Sequence, residues 1–223
     1  MTPVNIALDI YNIFLGIILI ISIIIRRYSA TRQQIWIKWM VVANIVLAAS
    51  HIGYLVFKTN IGSTNHLLSS IAIFIMYSAV FAIIVLTAII FVVYLGQKRF
   101  RKTLTYSLLV LIIIYTLFLI ATPFTGAYYT INQNNNRDYG PFIFIPYSLQ
   151  AIIYFLLIIY VLANRKTLNV SRLIVVISFI LFPQLSQIIQ LINSDLYIIT
   201  TGYSITFLVM VIFENYRLEA DLD

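Results

Sequence analysis

Hydrophobic residues dominate the chain in long runs that polar residues interrupt only briefly. Seven runs reach roughly the 20 residues that a helix needs to cross a hydrocarbon core about 30 Å thick. They cover residues 4–25, 35–57, 67–95, 103–124, 142–163, 173–192 and 196–213. The pattern therefore predicts seven transmembrane helices, of which the third is long enough to tilt or to project beyond the bilayer.

The longest polar interruption lies in residues 121–150, between the fourth and fifth runs. Its centre, INQNNNRDYGP, is too hydrophilic to lie in hydrocarbon, whereas Pro123, Pro141 and Pro146 join it to apolar sequence on both sides. We expect a tethered loop over the mouth of a helical bundle.

Composition sets the class of protein. Hydrophobic residues make up 62% of the 223 residues and charged residues 9%, and the mean hydropathy is +1.00. A soluble domain of this size cannot bury so much apolar surface, so we expect an all-α integral membrane protein. The chain contains no cysteine, which excludes disulfides and thiolate metal sites.

The net charge of +7 is interpreted as a topology signal, with no nucleic-acid partner expected. Most basic residues fall in alternate connections and near the C-terminus, namely Arg26, Arg27, Arg32, Lys38, Lys98, Arg99, Arg101, Lys102, Arg165, Lys166, Arg172 and Arg217. Lys58 and Arg137 fall on the opposite side. The positive-inside rule then predicts a seven-transmembrane helix bundle with the N-terminus outside and the C-terminus cytoplasmic. Ile-, Asn- and Tyr-rich usage suggests an AT-rich bacterial gene. Together with the seven apolar runs, it leads us to expect a multi-pass protein of a bacterial cytoplasmic membrane.

Polar residues within the runs cluster toward the predicted outer side, where they suggest an outward-facing pocket. The candidate ligand-binding residues are Asp9, Asn12, His51, Tyr139, Tyr147, Gln150, Gln184, Gln187, Gln190 and Tyr203. Each also has an ordinary structural explanation, because polar groups often serve only as hydrogen bonds between membrane helices. Two histidines and no cysteine make a metal site improbable, and the sequence predicts no cofactor.

An enzyme is not expected from this chain. HExxH, GxSxG and P-loop motifs are absent from the sequence, and four of the seven acidic residues lie in the last ten positions. The seventh run continues into FENYRLEADLD without Gly or Pro. We therefore expect a seven-helix domain over 1–213 and, over 214–223, the start of a signalling helix that leads to an output domain. Pro183, Glu214 and Arg217 are the candidate hinge and transmission residues.

Residues 120–223 carry the features of a known family. They are an external lead into helix five at Arg137, Tyr139, Gly140 and Pro141, a Phe-Pro pair at Phe182 and Pro183, Gln190 further along helix six, and the charged exit helix. In these features the chain resembles the seven-helix sensor region that precedes diguanylate cyclase (GGDEF) domains in many Firmicutes, and that of some histidine kinases. The resemblance implies a sensor that passes a signal to a cytoplasmic output domain.

The resulting hypothesis is a receptor that binds a small or lipid-like ligand, sits among membrane lipids and works as a homodimer. Two alternatives stay open. Seven helices with an outside N-terminus also suit a small-solute transporter, although such carriers need interrupted helices in both halves. A membrane assembly protein without a ligand is the other alternative.

Overall fold

The computed structural model describes residues 2–25, 32–59, 62–94, 98–163, 170–193 and 196–220. Seven helices and one short β-hairpin follow each other along these residues. The elements are α1 Thr2–Ile25, α2 Arg32–Phe57, α3 Ser63–Tyr94, α4 Lys98–Thr125, β1 Tyr129–Ile131, β2 Arg137–Tyr139, α5 Phe144–Ala163, α6 Val170–Ile192 and α7 Ile199–Ala220. Each of the seven predicted helices has a counterpart, with ends that differ by a few residues.

Five helices of the described chain are long and apolar enough to cross a membrane. The spans are Pro3–Ile25, Gln34–Phe57, Thr64–Ile90, Thr105–Thr125 and Leu173–Gln190. Large hydrophobic side chains are exposed along them, as hydrocarbon contact requires. The protein is therefore an α-helical membrane protein. The apolar parts of α5 and α7, Phe144–Ile159 and Ile199–Phe213, are shorter, so seven spans and the orientation stay predictions.

The chain divides into two compact units, residues 1–49 with 165–223 and residues 50–164. We call them unit 1 and unit 2. Unit 1 contains α1, most of α2, α6 and α7, and unit 2 contains the end of α2, α3, α4, the hairpin and α5. In unit 1, α7 packs along both α6 and α1, and in unit 2, α4 packs against α3 and α5.

Helices α6 and α7 approach each other closely at Gly202. A Cβ atom there would overlap the Ser186 hydroxyl and lie 2.8 Å from the carbonyl oxygen of Phe182. One turn later on α7, Thr206 Oγ1 donates to the carbonyl oxygen of Ser178 at 3.3 Å. The absence of a side chain at Gly202 is what allows the two backbones to come this near.

The polar connection between α4 and α5 is shorter and more ordered than the sequence predicted. Helix α4 takes in Pro123 and ends before Gly126, whose φ of +66° suits the left-handed end of a helix. Pro146 lies in the first turn of α5, where a missing N–H costs little. Only residues 126–143 connect the two helices.

The connection forms an antiparallel hairpin in which Tyr129 pairs with Tyr139, Thr130 with Asp138 and Ile131 with Arg137. Its turn is built on one asparagine, because Asn132 Oδ1 accepts from the backbone N–H groups of Asn134 and Asn136 at 3.0 and 3.1 Å. The asparagine-rich sequence therefore closes a specific turn, which hydropathy alone did not indicate.

Two contacts hold the hairpin against the rest of unit 2. The backbone N–H of Arg137 donates to the Tyr54 hydroxyl on α2 at 3.1 Å. At the other end Gly140 is buried, and a Cβ there would overlap the carbonyl oxygens of Gly126 and Ala127. The hairpin is thus docked through backbone groups as well as side chains.

Candidate functional site

A buried polar network joins α1 to α7 in unit 1. Asp9 and Thr200 are fully buried, and Thr200 Oγ1 donates to Asp9 Oδ1 at 3.0 Å. Asn12, one turn further along α1, donates from Nδ2 to the hydroxyls of Thr200 and Thr201, each at 3.0 Å. The i, i+3 spacing of Asp9 and Asn12 places both side chains on the α1 face that meets α7.

Helix α2 joins the same network through Asn44. Its Nδ2 donates to the carbonyl oxygen of Thr200 at 3.2 Å and to Ser204 Oγ at 2.9 Å. Asn44 and Ser204 are both about 2% exposed. We call Asp9, Asn12, Asn44, Thr200, Thr201 and Ser204 the α1–α2–α7 network. Three helices therefore meet through side chains that hydrocarbon would not solvate.

The glutamines of α6 are half-buried, and Pro183 beside them is buried. The side-chain nitrogens of Gln184 and Gln187 have no hydrogen-bond partner within the described residues. Tyr203 of α7 is fully buried and stacks on Phe207, with ring centroids 6.2 Å apart. The predicted face of α6 thus has two side-chain amide nitrogens without a described partner, close to the proline inside the helix.

Aromatic rings fill the space beneath the hairpin in unit 2. Tyr77 of α3 stacks on Tyr129 of β1 with centroids 5.3 Å apart. The ring of Tyr128 lies 5.8 Å from Tyr115 and 6.0 Å from Phe118, both on α4. Such offset and tilted arrangements are the favourable ones for aromatic pairs.

Several polar atoms in this aromatic region are buried without a partner. The hydroxyls of Tyr77 and Tyr128 and Nε2 of Gln150 have no hydrogen-bond partner among the residues described. Tyr128 is fully buried and Gln150 is 4% exposed. A buried donor left unsatisfied costs about 1–3 kcal/mol, so three such donors within unit 2 call for an explanation.

The positively charged side chain of Arg137 lies at the edge of the same region. The Arg137 guanidinium is 5.2 Å from the centre of the Tyr139 ring, and its Nη2 donates to the Tyr139 hydroxyl at 3.4 Å. The Tyr77 and Tyr147 rings are near enough to Arg137 for electrostatic interaction. Gln150 follows Tyr147 by one turn of α5. We call Tyr77, Tyr128, Arg137, Tyr139, Tyr147 and Gln150 the hairpin site.

Tyr128 and Tyr129 have raised pKa values, which make the stability of the fold depend on pH. Burial raises the pKa of Tyr128 and of Tyr129 from the usual 10.0 to about 12. Because the folded state then holds these protons more tightly than the unfolded chain, the stabilisation is complete below pH 10 and is lost as pH rises toward 12.

We therefore predict that the tyrosinate absorbance of Tyr128 and Tyr129 develops about two pH units above that of exposed tyrosines. The difference between titrations of the natural chain and of Tyr128→Phe isolates the Tyr128 signal. A Tyr128 difference signal with its midpoint near pH 10 would contradict the burial of this ring.

The ten sequence-predicted ligand residues fall into two sets. Unit 1 holds Asp9, Asn12, Gln184, Gln187, Gln190 and Tyr203, and unit 2 holds His51, Tyr139, Tyr147 and Gln150. Within unit 1 the structure brings Asp9 and Asn12 together. Within unit 2 it places Tyr139 and Tyr147 around Arg137. His51 is buried, and Gln190 is half-buried on α6.

The sequence-predicted ligand residues left out several members of the α1–α2–α7 network and of the hairpin site: Asn44, Thr200, Thr201, Ser204, Tyr77, Tyr128 and Arg137. For the α1–α2–α7 network the sequence did hold an indication, because positions 200, 201 and 204 form a polar stripe on one face of α7. Tyr128 had no such signal, since its burial depends on how the hairpin folds back.

The predicted transmission residues are partly described. Pro183 lies inside α6, where it supplies no N–H to the helix. The backbone of α7 continues as a helix to Ala220, beyond the apolar run that ends at Phe213. The side chains of Glu214 and Arg217 lie outside the described part of the chain, as do residues 221–223.

No protein-family model, curated protein or solved structure matches this chain.

Proposed function

We propose that the chain is the sensor module of a membrane receptor, in which a small ligand binds at the hairpin site and a helix movement carries the signal to a cytoplasmic output domain. The proposal includes seven spans with the N-terminus outside, a bacterial plasma membrane and a homodimer. It also includes the resemblance to regions that precede diguanylate cyclase or histidine kinase domains.

The unsatisfied polar groups of the hairpin site are the observation that supports the proposal most. Two tyrosine hydroxyls and an amide N–H₂ group are donors. The Arg137 guanidinium, which interacts electrostatically with Tyr77 and Tyr147, adds a positive charge. The aromatic rings around them offer an apolar surface. The ligand that suits this combination is a small organic molecule with an apolar body and acceptor oxygens, such as a carboxylate.

Helices α6 and α7 are the proposed transmission elements. Pro183 interrupts the hydrogen bonding of α6, and α7 continues as a helix past its apolar part. Helix α2 contributes residues to both units. Signalling requires that the ligand binds one of two helix arrangements more tightly than the other.

Ligand binding is tested by purifying the chain from native membranes and identifying its bound small molecules by mass spectrometry. Tyr128→Phe and Gln150→Leu should each reduce the bound molecule about tenfold, as expected for losing one good hydrogen bond. Thr87→Val is the control, because Thr87 is equally buried in unit 2 but bonds only to the carbonyl oxygen of Ile83 in its own helix. Equal occupancy in all variants would contradict the assigned site.

Helix movement is tested with spin labels, which the absence of cysteine makes specific. Labels at Ile177 and Ile188, both exposed, flank Pro183 on α6. Labels at Ile10 and Ile21 on α1 have the same sequence separation and no intervening proline. Adding the identified molecule should change only the first distance. Uptake of the identified molecule into proteoliposomes that contain the chain would favour a transporter instead.

A further inference from the structure

We propose that Tyr54 of α2 is a positioning residue for the hairpin site, because its hydroxyl group fixes the point of β2 from which the Arg137 side chain starts. The inference rests on the function proposed for this site and adds to it the residue that holds the charged group in place. It starts from one hydrogen bond, in which the backbone N–H of Arg137 donates to the Tyr54 hydroxyl at 3.1 Å. The two residues are 83 positions apart in the sequence.

The pairing of β1 with β2 explains why this N–H group needs an acceptor outside the hairpin. Residues that face each other in an antiparallel pair alternate between hydrogen-bonded and non-hydrogen-bonded pairs. The N–H of Asn132 donates to the carbonyl oxygen of Asn136 at 3.0 Å, so these two form a hydrogen-bonded pair. Ile131 and Arg137, the next pair, are therefore of the other kind. The N–H of Arg137 points away from β1, and the Tyr54 hydroxyl is the acceptor that it meets there.

The same strand places the Arg137 side chain among the tyrosines of the hairpin site. Side chains two residues apart lie on one face of a strand, so Arg137 and Tyr139 share a face. The guanidinium lies 5.2 Å from the centre of the Tyr139 ring, and Nη2 donates to its hydroxyl at 3.4 Å. Tyr129, which pairs with Tyr139, stacks on Tyr77 of α3. A displacement of β2 at position 137 therefore moves the positive charge relative to these rings.

Tyr54 has the surroundings of a fixed anchor. It lies in the last turn of α2, which ends at Phe57, and it is 8% exposed. Its carbonyl oxygen accepts from the N–H of Lys58 at 3.0 Å, and the Lys58 ammonium lies 5.6 Å from the centre of its ring, within the range of a cation–π interaction. A hairpin with two strands of three residues is marginal by itself, so a buried helix residue gives it a fixed reference.

Tyr54→Phe removes the hydroxyl and keeps the ring, so it tests this bond alone. In the full chain in detergent micelles, the side-chain Nε–Hε signal of Arg137 is recorded by NMR with isotope-labelled arginine and is assigned by its absence in Arg137→Lys. The Tyr139 ring shifts this signal, and Tyr139→Leu measures how much. We expect Tyr54→Phe to remove at least about half of that ring shift, since the hydrogen bond between the two side chains weakens steeply once its geometry changes.

Amide hydrogen exchange gives a second measurement that needs no variant. The N–H groups of Arg137 and Tyr139 both point out of the hairpin, because the two residues are two positions apart on β2. That of Arg137 donates to the hydroxyl of the buried Tyr54. After correction for sequence, the Arg137 amide should exchange about fivefold more slowly than the Tyr139 amide, as one hydrogen bond predicts. Tyr54→Phe should abolish the difference.

Tyr115→Phe is the matched control. Tyr115 is also a buried tyrosine of unit 2 whose hydroxyl bonds to a backbone group, but that group is the carbonyl oxygen of Tyr77 on α3. Its loss leaves the anchor of β2 intact, so the Arg137 side-chain signal and the Arg137 amide exchange should stay as in the natural chain. Equal effects of Tyr115→Phe and Tyr54→Phe would show that any hydroxyl lost from unit 2 loosens the hairpin, and would reject a specific role of Tyr54.

Two further results would overturn the positioning role. One is an Arg137 side-chain signal that stays in place in Tyr54→Phe, which would leave Tyr54 as a fastening of the hairpin only. The other is an Arg137 amide that exchanges as fast as the Tyr139 amide in the natural chain. Neither result depends on a bound molecule. A ring shift lost in Tyr54→Phe, together with equal occupancy in Tyr128→Phe and Gln150→Leu, would keep the anchoring of Arg137 and reject the proposed ligand instead.

Discussion

Replacing Thr200 by valine should lower the free energy of unfolding by about 2 kcal/mol, because one change removes the donor to Asp9 and an acceptor for Asn12. This exceeds the average of about 0.6 kcal/mol for hydrogen bonds between membrane helices. The larger value is expected because Thr200 is fully buried and one of its partners is a carboxylate. Unfolding by SDS in mixed micelles measures the difference.

Thr87→Val is the control for this experiment. Thr87 is 1% exposed, and its hydroxyl donates to the carbonyl oxygen of Ile83, which belongs to the same helix. Removing that hydroxyl leaves no charged group unpaired, so we expect a loss of no more than the average of about 0.6 kcal/mol. Similar losses at positions 87 and 200 would show that the α1–α2–α7 network adds nothing beyond general packing.

Gly202→Ala should destabilise the chain by about 1–3 kcal/mol, because the added methyl group has no space between α6 and α7. The new Cβ would overlap the Ser186 hydroxyl and lie 2.8 Å from the backbone oxygen of Phe182. A hydroxyl can move, but a helix backbone moves only with the whole helix. The same micelle titration measures the loss.

Two further variants test the cause of this loss. Gly53→Ala, in the interior of α2, meets its nearest neighbour, Phe57 Cε2, at an ordinary 3.6 Å. We expect it to be neutral or to stabilise by up to about 1 kcal/mol, since alanine favours helix more than glycine does. Combining Gly202→Ala with Ser186→Ala should recover part of the stability. A Gly202→Ala variant as stable as Gly53→Ala would contradict the close approach of α6 and α7.

Thr200 and Gly202 lie at contacts between different pairs of helices, and the proposed transmission depends on both contacts. Thr200 ties α7 to α1 and α2 through hydrogen bonds, whereas Gly202 brings α7 against α6 beside Pro183. A receptor that moves α6 and α7 has to change at least one of these contacts. Comparing the spin-label distance across Pro183 in Thr200→Val and Gly202→Ala would show which contact limits the movement.

Much of the fold could be predicted from the sequence, but little of the way the polar centres are assembled. The apolar runs located all seven helices, and the asparagine-rich stretch was correctly placed between α4 and α5. Its hairpin was not predicted, because Asn132 closes the turn through backbone contacts that composition does not reveal. Asp9 and Asn12 were selected, whereas Thr200, which connects them, was left out.

The sequence by itself determined that this is a helical membrane protein and where its helices lie. Transfer into hydrocarbon depends on the residues of each segment, and a helix satisfies its own backbone hydrogen bonds. Only the tertiary structure decided which polar residues meet, as in the contact between Asn12 and Thr200, 188 residues apart. The reason is that lipid is as apolar as the protein interior, so hydropathy hardly constrains how each helix rotates about its axis. Close packing at Gly202 and the hydrogen bonds of Asn44 set that rotation.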